Sequence, residues 1–338
     1  MRDWRERMIM LALIFCGVFT VATTASIVGI LGYNAWQFFT HDMVDVAGNV
    51  VQVSFWDYVT GLEWNPLLGA EKHFGMWPLI SGTLMVAAIA MCFALPLGLI
   101  TAVWLSEYAN PKLRAVIKPV LEIIAGVPTV VFGFFALTVI TPTLRFSFMQ
   151  VPILGEDGNA ILDSAGNVLT QPWNPLNFGT YNALAAGLAV GIMCIPIVTS
   201  LSEDALRAVP RALREGAYGM GSSKFETSVK VVSPSALSGI IAAFLLAIAR
   251  AVGETMIVAL AAGSTPLPLH SNPEMLLDPR SQVQPMTGFM VQIFLGDVEH
   301  GGVEYLSCYT IAATLFVITF LLTVIGGVIR KRFRQAYD

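Results

Sequence analysis

The chain has 338 residues, of which 55% are hydrophobic and only 12% are charged. Soluble domains carry about 25% charged residues, so the composition excludes an ordinary soluble domain, and the mean hydropathy of +0.69 indicates a membrane protein. The net charge of −4 is small, so the placement of the charges is more informative than their sum. The cysteines Cys16, Cys92, Cys194 and Cys308 form no CxxC pair, and we expect neither disulfides nor a metal site.

Six segments are predicted to cross a bilayer, because each approaches or exceeds the roughly 20 mostly apolar residues that a spanning helix needs. In chain order they are residues 8–31, 79–106, 117–140, 181–201, 235–262 and 307–329. The first follows three arginines, as a signal peptide would, but its apolar run is about 24 residues, longer than the 7–15 of a cleaved signal. We therefore expect an uncleaved first helix.

Basic residues are distributed unequally between alternate connections. Fifteen of the 19 Lys and Arg lie in the two terminal segments and in the connections 107–118 and 202–234, whereas the other three connections hold three in total and Arg250 lies within a predicted span. Because positive charge is retained on the cytoplasmic side, we expect both termini and these two connections to be cytoplasmic. The fold class is thus an all-α membrane protein with six transmembrane helices.

The external connections contain aromatic residues, Asn-Pro steps and many glycines. They include Trp56, Trp64 and Trp173, and the turn signals in residues 155–168 predict a polar hairpin or excursion. We expect these elements to face solvent. They serve either as connections alone or as a docking surface for an external partner.

The cytoplasmic connection 202–234 is amphipathic and is predicted to form two short helices between spans four and five. Pro210 suits the first turn of one helix, Gly219 and Gly221 offer a sharp turn, and the Ser-Ser pair at 222–223 can cap a second helix over 224–232. The apolar residues at near-helical spacing are Ala205, Leu206, Val209, Leu213 and Ala217. The pattern predicts a compact knob on the cytoplasmic face.

This connection resembles the coupling loop of binding-protein-dependent ABC permeases, whose pattern is E-A-A, three residues, G, nine residues and I-x-L-P. Glu215, Gly216 and Ala217 stand for E-A-A, Gly221 follows after three residues, and residues 231–234 follow after nine more. The glycine in the first part and the serine in the last depart from the strict pattern. The resemblance implies that Glu215, Ala217 and Gly221 lie at the contact with a separate ATPase, and the chain itself has no phosphate-binding G-x-x-x-x-G-K-[ST] loop.

A charged pair is predicted within the fifth span. Arg250 lies near the middle of the run, where an arginine costs at least about 2.5–3.5 kcal/mol. Glu254 follows four residues later, which is the same face of a continuous helix, so the two side chains can neutralise each other. The pair is either a structural ion pair or an anion site, since the guanidinium fork matches phosphate oxygens.

The sequence R-A-V-G-E-T-M at 250–256 resembles the R-A-x-G-E-T-M motif of phosphate ABC permeases, and Met256 is typical of the PstC type. Residues 122–133 and 200–210 are also similar to PstC permeases. The resemblance covers roughly residues 75–330 and implies a type I permease fold for that range.

The resemblance further implies three regions. Residues 1–74 form an N-terminal transmembrane helix and external loop, 75–330 an ABC transmembrane type-1 permease domain, and 331–338 a cytoplasmic basic tail. The implied location is the bacterial cytoplasmic (inner) membrane.

The resemblance implies a permease subunit for inorganic phosphate, with Arg250 and Glu254 on the substrate path. Its implied partners are a PstA-like permease, two ATP-binding subunits that hydrolyse ATP and an external phosphate-binding protein. We expect no catalytic residues, cofactor or nucleic-acid partner in this chain. Two alternatives stay open: a permease of the same class for tungstate or molybdate, and an ion-coupled secondary transporter, although the internal repeats common in the latter are not evident.

Overall fold

The computed structural model of the protein describes residues 2–40, 43–44, 50–67, 72–146, 150–152, 170–172, 177–271, 273–296, 298 and 301–332. The hairpin expected at 155–168 and residues 333–338 of the basic tail lie outside the described residues. The described part is mainly helical, with three short antiparallel β-ribbons.

The helices follow one another along the chain with few strands between them. They are α1 (Arg2–Thr40), α2 (Phe55–Thr60), α3 (Trp77–Val103) with the π-helical turn Trp104–Tyr108, α4 (Pro111–Ala125), α5 (Thr129–Phe135) with the π-helical turn Ala136–Ile140, α6 (Thr141–Leu144), α7 (Ala183–Ala208), α8 (Arg211–Gly219), α9 (Lys224–Glu226) with the π-helical turn Thr227–Val232, α10 (Ser233–Ser235), α11 (Leu237–Val252), α12 (Met256–Ala261), the 3-10 helix Pro273–Leu277, α13 (Met286–Leu295) and α14 (Val303–Arg332). The ribbons pair β1 (Met43–Val44) with β2 (Val50–Val51), β3 (Trp64–Asn65) with β4 (His73–Phe74), and β5 (Gln150–Pro152) with β6 (Thr170–Pro172).

Within the described residues, four helices are long and apolar enough to cross a membrane: Glu6–Thr40, Trp77–Tyr108, Ala183–Ala208 and Val303–Ile329. They correspond to predicted spans one, two, four and six. Two bent helix pairs bring the number to as many as six if each pair crosses as one span. The count of six and the orientation of the termini therefore stay predictions.

The third predicted span, 117–140, is sharply bent in the structure. Pro111–Ala125 and Thr129–Leu144 meet at 86°. Pro128 has the extended conformation (ψ 134°) and disfavours helical geometry in the residue before it, so α4 ends at Gly126. The charged face of α4 turns toward α7, and its apolar face stays exposed, including Leu113, Val116, Val120 and Ile123.

The fifth predicted span, 235–262, is interrupted inside its range, whereas the bend at its start agrees with the separate short helix predicted over 224–232. Lys224–Ser235 and Leu237–Val252 meet at 71°, and the chain leaves helical geometry again between α11 and α12. The first bend follows Pro234, and the second includes Gly253, so both coincide with residues that interrupt helices.

Helices α3 and α7 form the centre of the fold because small residues let their backbones approach closely. A Cβ atom at Gly187 would lie 2.6 Å from the Ile89 side chain, and one at Gly98 would lie 2.6 Å from Val198. Such small-residue contacts are typical of helix packing in membranes. The buried residues around them include Ala90, Ala94, Ala186, Ala189, Val190 and Cys194.

The first and fifth connections, both predicted to be external, contain more ordered structure in their described residues than solvent-facing loops would. Trp56 is exposed, but the Trp64 ring is buried and packs edge-on against Phe289 with ring centroids 4.9 Å apart. Helix α13 is too short to span a membrane, yet it buries Met286, Phe289 and Ile293. Their helical spacing is the signal that sequence analysis missed.

Candidate functional site

The opening between α11 and α12 separates the two predicted path residues. The Gly253 N–H still donates to the Ala249 carbonyl at 3.1 Å, which completes the last turn of α11. Arg250 lies in that turn, whereas Glu254 follows it, in the short connection before α12. Arg250 therefore belongs to α11, whereas Glu254 belongs to the connection that follows this helix.

Arg250 and Glu254 do not form the ion pair that their four-residue spacing predicts, because helical geometry ends between them. Arg250 is exposed, and its Nη2 lies 3.9 Å from the Met193 sulfur of α7. Glu254 is buried, and its Oε1 accepts a hydrogen bond from the Ile257 N–H at 3.4 Å. Among the described residues, no carboxylate lies within 4 Å of the Arg250 guanidinium.

Two neighbouring helices hold the opening in place. The Glu254 carbonyl accepts a hydrogen bond from Thr287 Oγ1 of α13 at 2.7 Å. On the other side, a Cβ atom at Gly133 of α5 would lie 2.8 Å from Leu260 Cδ1 and 3.2 Å from the Ile257 Cα. Only glycine at this position allows α5 to pack so closely on α12. The opening is thus a packed element of the fold.

The two short helices predicted for the knob are confirmed: they are α8 and the helical run 224–235, and we term residues 211–235 the coupling knob. Gly221 joins them with φ +85°, a conformation that favours glycine. Ser223 then forms a capping box, in which its Oγ accepts from the Glu226 N–H and its own N–H donates to Glu226 Oε2, both at 3.2 Å. The knob therefore has a defined shape.

The three predicted coupling residues occupy different parts of this knob. Ala217 is buried, Glu215 is exposed and Gly221 makes the turn. Beside the turn, Met220 and Phe225 expose 84% and 67% of their surface. Two large apolar side chains at such exposure favour a protein contact on this side of the knob.

Sequence analysis missed a buried carboxylate at the end of α7. Glu203 is fully buried, and its two oxygens lie 2.7 Å from the Arg114 guanidinium and 3.0 Å from Lys118 Nζ, both of α4. Lys118 also pairs with Asp204. The sequence gives little signal for this pairing, because the partners lie 89 and 85 residues from Glu203 along the chain.

Comparison with known proteins identifies the family. Residues 94–335 match the family of binding-protein-dependent transport system inner membrane components. The chain belongs to this family. It is therefore an integral permease subunit of an ABC importer and resides in the bacterial inner membrane.

Two curated relatives of this permease subunit extend the match to most of its length. It is 28% identical over 321 residues to the probable ABC transporter permease protein YqgH of Bacillus subtilis, covering 95% of this chain and 88% of the relative. It is 32% identical over 271 residues to the phosphate transport system permease protein PstC of Xylella fastidiosa, covering 80% of this chain and 77% of the relative. The sequence resemblance to PstC-type permeases is thus confirmed.

A solved structure shows the fold of this permease subunit. A chain of the MetNI methionine ABC transporter, crystallised in inward-facing conformations, is 17% identical, covers 77% of this chain and 98% of its own length, and gives a TM-score of 0.51. At this identity the likeness concerns the fold alone, which is that of the type I importer permeases.

Proposed function

We propose that this permease subunit forms the translocation path for inorganic phosphate in an ATP-driven importer. The observation that carries the proposal concerns Arg250, which lies within the motif R-A-V-G-E-T-M. Its guanidinium is exposed, and no carboxylate of the described residues lies in ion-pair distance of it. The name of the PstC relative, a phosphate transport permease, supports phosphate as the cargo.

The energetics favour a transport role for Arg250 over a structural one. An arginine in a spanning segment costs at least about 2.5–3.5 kcal/mol, so it normally faces a partner or an aqueous cavity. A structural arginine would recover this cost by an ion pair, and Arg250 forms none with the described residues. Its fork of N–H donors instead fits the oxygens of a passing phosphate.

Glu254 gives the path a means of release. Its carboxylate accepts a hydrogen bond from the backbone beyond the opening, so it leaves the guanidinium available to an anion. If the helix became continuous across Gly253, Arg250 and Glu254 would share one face, as residues four apart do. The carboxylate would then compete for the guanidinium and lower its affinity for phosphate.

The coupling knob is the proposed contact with the ATP-binding subunits. Ala217 is buried within the knob, Gly221 makes its turn, Glu215 is exposed, and the exposed Met220 and Phe225 supply the apolar surface. The proposed complex contains this chain, a PstA-like permease, two ATP-binding subunits and an external phosphate-binding protein. ATP hydrolysis takes place in the ATP-binding subunits.

Competition in ATP-dependent uptake tests the substrate. The complex with its native partners is reconstituted in proteoliposomes, and uptake of radiolabelled phosphate is measured with excess tungstate, molybdate or sulfate. We expect that phosphate uptake requires ATP and that none of these three oxyanions inhibits it, whereas unlabelled phosphate does. Uptake of labelled tungstate or molybdate in place of phosphate would favour the alternative oxyanion permease. Membership of the ABC permease family disfavours the alternative of an ion-coupled secondary transporter. ATP-independent uptake would instead support that alternative.

Docking of the knob is tested by co-purification. Met220→Asp places a charge in the proposed apolar contact, so we expect recovery of the ATP-binding subunits to fall at least about tenfold, a loss of about 1.4 kcal/mol. Leu277→Asp is the matched control, because Leu277 is 87% exposed in the predicted external connection. Equal recovery with both variants would contradict this docking surface.

A further inference from the structure

Arg214 of the coupling knob binds three groups at once. Its Nη2 and Nε donate to the two carboxylate oxygens of Glu107 at 2.8 and 3.3 Å, which is a bidentate contact. Its Nη2 and Nη1 also donate to the carbonyls of Leu206 and Val209, at 2.8 and 2.7 Å. The guanidinium therefore binds two backbone carbonyls at the end of α7 and, at the same time, a carboxylate of another element.

Glu107 lies in the π-helical turn that ends α3. Its side chain is only 6% exposed and that of Arg214 only 16% exposed, so water screens the pair weakly. Bidentate guanidinium–carboxylate contacts are among the strongest and most directional ion pairs. Since residues 107 and 214 are 107 positions apart in the chain, the contact joins elements that no short connection links.

The coupling knob thus has three connections to the membrane helices. Its α8 follows α7 along the chain, with only residues 209 and 210 between them. Along the chain, the run 224–235 leads directly into α11, which carries Arg250. Across space, Arg214 reaches Glu107 at the end of α3. Helix α3 packs closely on α7 through Gly98 and Gly187, so it belongs to the centre of the fold.

We infer that the Glu107–Arg214 ion pair couples α8 to α3, so that movement of the knob on its ATPase is transmitted to α3 as well as to α11. Both side chains are positioning residues, and neither needs to contact the cargo. The inference rests on the proposed docking of the knob and goes beyond it, because it assigns a transmission route. Without the pair, the knob would move while α3 lagged behind, and ATP would be hydrolysed with less transport.

The test compares transport with ATP hydrolysis in the complete reconstituted complex. Glu107→Gln keeps the size of the side chain and removes its charge. We expect the amount of phosphate moved per ATP to fall at least about fivefold, the lower end of usual coupling between sites, while ATP hydrolysis continues. Glu107→Asp, which keeps the charge, is expected to restore part of the ratio.

Glu122→Gln is the matched control, because Glu122 is an exposed carboxylate lining the same cytoplasmic cavity of about 680 Å³ as Glu107. The control is expected to keep the wild-type ratio. A wild-type ratio in Glu107→Gln, or a lower thermal midpoint with an unchanged ratio, would overturn the inference and leave the pair merely structural. If the wild-type complex carries tungstate or molybdate instead of phosphate, the proposed substrate fails, and the same ratio measured with that anion still decides the inference.

Discussion

Arg214 and Arg250 have opposite environments within one chain. Arg214 is bound by a carboxylate and two carbonyls and is 16% exposed, whereas Arg250 is exposed and its guanidinium touches a methionine sulfur. A saturated guanidinium fixes the position of a helix. An unsaturated one is available to an anion, which is why we assign transmission to the first and substrate contact to the second.

The same contrast extends to the carboxylates. Glu203 is fully buried and is neutralised by cations of α4, but Glu254 accepts only a backbone N–H from the described residues. Ion pairs thus join α4 to α7 and the end of α3 to α8. The opening between α11 and α12 depends instead on close packing by α5 and α13. Removal of the buried Glu203 charge in the first region should therefore lower the stability of the protein. Removal of the Arg250 charge beside the opening should lower its transport activity.

The largest expected stability loss is at Glu203. Glu203→Gln leaves Arg114 and Lys118 without their shared carboxylate, and breaking a buried ion pair costs about 3–5 kcal/mol. We expect a markedly lower thermal midpoint and less protein in the membrane. Asp204→Asn is the control, since that side chain is 55% exposed and should cost below about 1 kcal/mol. Equal losses for the two variants would contradict the stated role of Glu203.

A smaller loss is expected at the turn of the coupling knob. Gly221 has φ +85° with open space around its Cβ direction, so Gly221→Ala adds backbone strain of about 1–2 kcal/mol without a clash. Amide hydrogen exchange in residues 211–232 measures the opening of the knob. We expect faster exchange, and unchanged protection would show that the turn tolerates a side chain.

The smallest effect has the opposite sign. Gly216 lies inside α8, also with open space around its Cβ direction. Gly216→Ala should therefore stabilise the helix by about 0.5–1 kcal/mol, and exchange in α8 should slow. Faster exchange would mean that this departure from the E-A-A pattern is required locally.

Much of the fold followed from the sequence, because long apolar runs and glycine or serine turn signals are local features. The predicted helices one, two, four and six and the two-helix knob were found in this way. The sharp bend at Gly126–Pro128 was not predicted, since an apolar run gives no information on the direction of the helix axis. The predicted Arg250–Glu254 pair assumed a continuous helix, whereas the helix ends at Gly253.

The long-range ion pairs could not be predicted in the same way. Glu203 and Glu107 find their partners only after α4 and α8 fold back on α7 and α3. Nothing in the local sequence distinguishes these carboxylates from solvated ones. The candidate path residues were found because a charge inside an apolar run is itself a local signal.

ATP-dependent phosphate uptake by the reconstituted complex with Arg250→Gln tests the central claim most directly. Because no carboxylate of the described residues lies in ion-pair distance of Arg250, we expect the thermal midpoint and the recovery of the ATP-binding subunits to stay at wild-type values. Uptake should fall at least about tenfold, which corresponds to about 1.4 kcal/mol of lost interaction along the path. Wild-type uptake in this variant would contradict the account and remove Arg250 from the path.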